Sequence, residues 1–123
     1  MENLFSKCWV ADLILVRFML LVLDRDAELH LFRSADHAQR QLETIDIENA
    51  EYEFCDIAGQ RFVPQITSPV GTFRSGTFQL RPDGIADQSI PLSFVARAKT
   101  LGTPCGEITS LDILRERVAR REI

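Results

Sequence analysis

The chain predicts an α+β fold: a single domain built on a mainly antiparallel sheet of about four to five strands, packed with two to three helices. Three observations carry that expectation. Segments around residues 28–33 and 51–56 alternate polar and apolar residues, the period of half-buried strands. Turn-forming clusters follow or precede them at Asp24–Ala27 and Asp56–Gly59. Two other segments, 35–45 and 108–118, repeat apolar residues at the three- and four-residue spacing of amphipathic helices. With 123 residues, 46% hydrophobic and 26% charged, the chain is long enough for one core and too apolar for disorder. No composition shift, repeat or low-complexity tract divides it, so 1–123 reads as one unit.

Residues 8–23 are strongly apolar, but Asp12 and Arg17 interrupt them and the longest uncharged stretch, Phe18–Leu23, is six residues. A membrane span needs about 20 apolar residues, and no small-residue cleavage pattern follows. Leu13–Leu23 is therefore expected as a central strand buried on both faces. In an alternative reading the patterned domain starts at Met19, and residues 1–18 are then an N-terminal extension.

Asp24-Arg25-Asp26-Ala27 then makes a polar hairpin turn, and Glu28–Arg33 a second strand with Leu29 and Leu31 inward. Ser34 is an N-cap, its hydroxyl able to accept a free backbone N–H. Ala35, Ala38, Leu42 and Ile45 line one face of a three-turn helix. In Ala50–Asp56, Tyr52 and Phe54 point one way, Glu51 and Glu53 the other. Gly59 supplies the positive φ that closes a hairpin onto Arg61–Thr67, where Pro64 marks an edge or bulge. A strand over Thr72–Arg81, with Phe78 and Leu80 inward, stops at Pro82-Asp83-Gly84. Residues 90–101 fit helix or strand; length and Gly102 favour a helix ending at that glycine. Thr109 is the expected N-cap of a C-terminal helix whose inward face is Leu111, Leu114 and Val118. Its last turns carry Arg115, Arg117, Arg120 and Arg121 against the negative helix end.

The chemistry-bearing residues are sparse. Cys8, Cys55 and Cys105 are too few and too far apart for a zinc site or a disulfide framework, which fits reduced thiols in a cytoplasmic protein. His30 and His37 have no nucleophile elbow beside them, and the alternation places His30 outward, away from Cys55. Asp24-Arg25-Asp26-Ala27-Glu28 lacks the ligand spacing of a calcium loop. The glycines form no phosphate cradle, and no aromatic residues interleave with basic ones as on a nucleic-acid face. The expectations are no enzyme activity, no cofactor, no metal, no nucleic acid and no membrane.

One feature stands out. Glu43, Asp46, Glu48, Glu51, Glu53 and Asp56 place six carboxylates in one short segment with no Lys or Arg, while the remainder holds 14 basic and 12 acidic residues. The net charge of −4 thus originates there. Such a local excess steers a basic partner and repels nucleic acid. Glu43 near a helix C-terminus and the neighbouring Glu51 and Glu53 each carry a small local penalty. Tolerating several such penalties points to the field itself as the useful property.

The stretch Leu42-Glu43-x-Ile45-Asp46-Ile47-x-Asn49-x-Glu51-Tyr52-x-Phe54-x-Asp56-x-x-Gly59-x-Arg61-Phe62 resembles a pattern in small bacterial immunity proteins, the cytoplasmic antidotes encoded beside polymorphic or type VI secreted toxins. The resemblance covers about 20 of the 123 residues. It implies a non-enzymatic protein that occludes a cognate toxin, one with a basic cleft, through Glu43, Asp46, Glu48, Glu51, Tyr52, Glu53 and Asp56. The alternative expectation is a small-ligand-binding or regulatory adaptor domain, as a monomer or a homodimer, with a pocket between sheet and helices.

Overall fold

The structure is a computed structural model, and it describes residues 19–72, 75–103 and 108–120. Six strands form one sheet: β1 (Leu20–Asp24), β2 (Glu28–Phe32), β3 (Tyr52–Asp56), β4 (Arg61–Ser68), β5 (Thr77–Asp83) and β6 (Thr100–Thr103). Their spatial order is β5-β4-β3-β1-β2-β6. Every pairing is antiparallel except that of β2 with β6, which is parallel. Among the described residues four helices complete the α+β domain: α1 (Ala35–Gln41), α2 (Thr44–Glu48), α3 (Ser89–Arg97) and α4 (Leu111–Arg120). Among the described residues no helix is long and apolar enough to cross a membrane.

β1 lies between β3 and β2, and Leu20, Leu21, Val22 and Leu23 are all buried. That is the two-sided burial its unbroken apolar run requires, worth roughly 1.5–3 kcal/mol per side chain. Alternate residues feed two separate cores. Leu21, Leu23, Leu29, Leu31 and Cys55 pack with Phe94 and Val95 of α3 and Leu114 and Val118 of α4. Leu20, Val22, Phe32 and Phe54 pack on the opposite face with Ala38 of α1, Ile47 of α2 and Phe78 and Leu80 of β5. A helix pair thus covers each face.

Local chemistry sets several boundaries. Ser34 Oγ accepts the backbone N–H of His37 and starts α1. In the β3–β4 turn Gly59 has φ +99° and donates its N–H to the Asp56 carbonyl. β4 pairs with β3 at Arg61 and Phe62 and with β5 from Arg61 to Ser68. Pro64 therefore falls beyond the Phe54–Phe62 pair of β3 and β4, where a missing N–H is tolerated. β5 is an outer strand, and the Gln39 side-chain oxygen accepts its Leu80 N–H at 2.7 Å, capping part of the sheet edge from α1.

Five expectations need correction. The single helix over 35–45 is two helices: Leu42 and Glu43 are extended, which buries Thr44 and Ile47 and leaves Ile45 exposed. Burial of Ile47 beside Phe54 outweighs helix propensity in a segment with no Gly or Pro to break it. The strand expected at Thr72–Arg81 begins at Thr77 and runs through Pro82 to Asp83, which an outer strand allows. The helix near residue 90 ends at Arg97, and Gly102 lies inside β6. Ser110 caps α4 in place of Thr109, its Oγ accepting the Ile113 N–H. Arg115 turns away from its own helix end and donates to the carbonyls of Val95 and Ala98 at the end of α3. The readings made for residues 1–18, Cys8, Cys105 and Arg121 lie outside the described residues.

Candidate functional site

The β1–β2 hairpin builds one half of the site. Asp24 Oδ1 accepts the N–H groups of Asp26 and Glu28, at 2.9 and 3.0 Å, and this fixes the carboxylate at the end of β1. Its other oxygen lies 3.2 Å from His30 Nε2, and Glu28 Oε1 lies 3.4 Å from the same nitrogen. Burial opposes ionisation of Asp24, but the Glu28 N–H, the His30 side chain and the Asp26 N–H outweigh it and hold the carboxyl below its usual range. On the outer side is Gly102: a Cβ there would come within 2.6 Å of Glu28 Cδ and His30 Cε1. Glycine at that point of β6 is what lets both side chains lie where they do.

The acidic segment supplies the other half. Asp24 sits opposite Tyr52 in the β1–β3 register, so the two share a sheet face. Burial, together with the negative charges of Asp46, Glu51 and Asp24, pushes the Tyr52 phenol above its ordinary range. Ala50, at φ +55°, turns the chain from α2 into β3, and the Glu51 N–H returns to the Asp46 carbonyl. Arg25 Nη2 donates to the Asn49 carbonyl at 3.1 Å and ties the hairpin to the end of α2. Asp24, Glu28 and His30 thereby gather on the α1/α2 side of the sheet, and the charges of Asp24, Asp46 and Glu51 all act on Tyr52 beside them.

Not every carboxylate of the segment belongs to that group. Glu53 projects from the opposite face, where Arg97 grips both of its oxygens at 2.7 and 3.2 Å and Arg61 approaches to 3.7 Å. Arg61 thus pairs across the β3–β4 hairpin with Glu53. Asp56 spends its carboxylate on its own turn, accepting the Gln60 N–H at 2.8 Å, and burial pushes its pKa up. Glu43 is the N-cap residue of α2 and directly follows Leu42, the C-cap of α1, so opposed helix ends act on it and the expected macrodipole penalty is offset. It lines a cleft of about 520 Å³ with Arg40, Ile45, Val70 and Phe78. Glu48 is exposed, its Oε2 3.4 Å from the Val70 N–H.

Cys55 and His30 lie on opposite faces, since Cys55 opposes Leu21 while His30 opposes Val22. Burial pushes the Cys55 thiol far up, which suits an inert core residue. His37 packs edge-on against Phe32 at 5.6 Å and is only partly exposed.

No family model, no curated protein and no solved structure matches this chain. Sequence reasoning missed Asp24, Glu28 and His30 as members of the site. The signal available was the Glu28-x-His30 alternation directly after the turn that Asp24 opens, which sets all three on one face.

Proposed function

We propose that this chain is a non-enzymatic, immunity-type binding protein of the bacterial cytoplasm that neutralises a cognate secreted toxin by docking a basic surface of it. The charges of Asp46, Glu51 and Asp24 acting on Tyr52, with Glu28 next to Asp24 at His30, carry this reading, and exposed Glu43 and Glu48 extend the negative surface. Glu53 and Asp56 leave the docking set, because Arg97 and the Gln60 N–H already engage them. A face of one sign accelerates encounter with a basic cleft, and Tyr52 offers an aromatic anchor at its margin. Membrane or nucleic-acid partners lack the complementary charge.

The test is capture of the product of the adjacent gene by the full chain, followed by charge reversal. Glu48→Lys with Glu51→Lys slows association at low salt by tenfold or more, whereas Glu53→Lys, on the other face, leaves association nearly unchanged. Equal effects from both sets, or none from the first, refute the docking surface. A neighbour that is harmless when expressed alone refutes the toxin assignment.

A further inference from the structure

We propose that Asp24, Glu28 and His30 form a binding site for a divalent first-row transition-metal ion of the zinc type. The three residues each offer one donor atom, and all three atoms lie within 4.8 Å of one another. The nitrogen–oxygen separations are 3.2 Å to Asp24 Oδ2, at the long end of a hydrogen bond, and 3.4 Å to Glu28 Oε1. An optimised charge-assisted hydrogen bond to a carboxylate is about 2.7–2.9 Å. Neither contact reaches that length, and one nitrogen serves both. Ligands about 2.0–2.2 Å from a tetrahedral ion, by contrast, stand roughly 3.3–3.5 Å apart. The spacing is that of a coordination edge.

The surroundings agree with the donor set. Asp24 Oδ1 is engaged by two backbone N–H groups, so the carboxylate is oriented before an ion arrives and Oδ2 is the oxygen left facing His30. Gly102 keeps the outer side open for Glu28 and His30, a close approach that any larger residue in β6 would block. Two carboxylates and one neutral imidazole nitrogen carry charge 2−, matched by a dication. The imidazole selects zinc-type ions over calcium, which takes six to eight oxygens. A tetrahedral ion held by these three donors would take its fourth ligand from water or from a partner's side chain. The site stands whether or not the chain docks a toxin.

The experiment uses the full chain with Cys8→Ser and Cys105→Ser, treated with chelator and dialysed, then titrated calorimetrically with zinc sulfate and in parallel with calcium chloride. One zinc per chain is expected, with calcium at least tenfold weaker. His30→Ala, and separately Asp24→Asn, weakens zinc at least tenfold, and cobalt(II) gives visible d–d bands that His30→Ala abolishes. Urea unfolding without metal shows each variant folded; Gly102→Ala, which displaces the same two side chains, serves as the second variant. Absence of zinc binding by the folded parent, equal affinity for calcium, or undiminished binding by folded His30→Ala overturns the site.

Discussion

Gly59 and Gly84 both have positive φ, +99° and +75°, yet their surroundings differ completely. A Cβ at Gly84 would have nothing within 4 Å. At Gly59 it would meet the Asp87 carbonyl oxygen at 2.6 Å and the carbonyl carbon at 2.7 Å. Both Ala substitutions carry the left-handed penalty of about 1–2 kcal/mol, partly offset by about 0.4–1 kcal/mol of reduced unfolded-state freedom. Gly84→Ala should therefore destabilise by about 1 kcal/mol or less. Gly59→Ala adds a collision with backbone, which cannot swing aside as a side-chain tip can. Relieving it stretches the Asp87 N–H bond to the Gly59 carbonyl, 3.0 Å long, worth about 1 kcal/mol, and overpacks the turn by about 1–3 kcal/mol. Gly59→Ala should then lose about 3 kcal/mol. Urea unfolding of the two variants and the parent measures the difference, a midpoint separation on the order of 1 M at ordinary m-values. Equal midpoints for the two variants would refute the steric account. The outcome bears on function, since it makes the Asp-x-x-Gly portion of the immunity-like pattern a turn-building device.

Asp24 and Asp56 should respond to acid with opposite signs. Asp24 is depressed when folded, so its stabilisation is full above its unfolded value, about 3.9, and disappears as pH falls through the folded one; Asp24→Asn should lose its deficit relative to the parent between pH 5 and pH 2 in urea midpoints. Asp56 is raised by burial, so its ionisation opposes folding, and the parent should lose ground to Asp56→Asn as pH rises through about 4. A double-mutant cycle on Glu53 and Arg97, both nearly half exposed, should give a coupling of about 0.2–1 kcal/mol that shrinks in 0.5 M salt, with Arg97→Ala the costlier single change because its guanidinium also lies 5.2 Å from the Phe94 ring centroid. In a chain with Cys8→Ser and Cys105→Ser, Cys55 should stay unmodified by a thiol reagent until urea unfolds the protein; modification at the native baseline would contradict its burial.

Where adjacent residues determine structure, the sequence is a good guide. The apolar run ending at Leu23, the Asp24 turn, the Ser34 cap and the Gly59 turn are all local, and each is found where its chemistry predicts. The failures are non-local. β6 exists because Thr100–Thr103 meets β2, some 70 residues earlier in the chain, and Gly102, which reads locally as a helix stop, is there to clear Glu28 and His30. The break after Gln41 comes from the burial of Ile47 beside Phe54, a contact with no local signal.

The same distinction governs the candidate site. Six acids within one segment suggest one acidic face, but a sheet divides a strand by parity, and a displacement of a single residue changes the side on which a charge is displayed. Glu53 therefore emerges among the guanidinium groups of Arg61 and Arg97, while Tyr52, its neighbour in sequence, emerges among carboxylates. Parity also recruits: Asp24, Glu28 and His30 share one face of the β1–β2 hairpin, whose residues 20–32 hold three acids and one arginine, and Asp24 adds its charge to those of Asp46 and Glu51 at Tyr52. The negative potential a partner or an ion meets is thus assembled by register across three strands and the short helix α2, and any substitution that shifts the β1–β3 register by one residue should abolish it even with every acidic side chain retained.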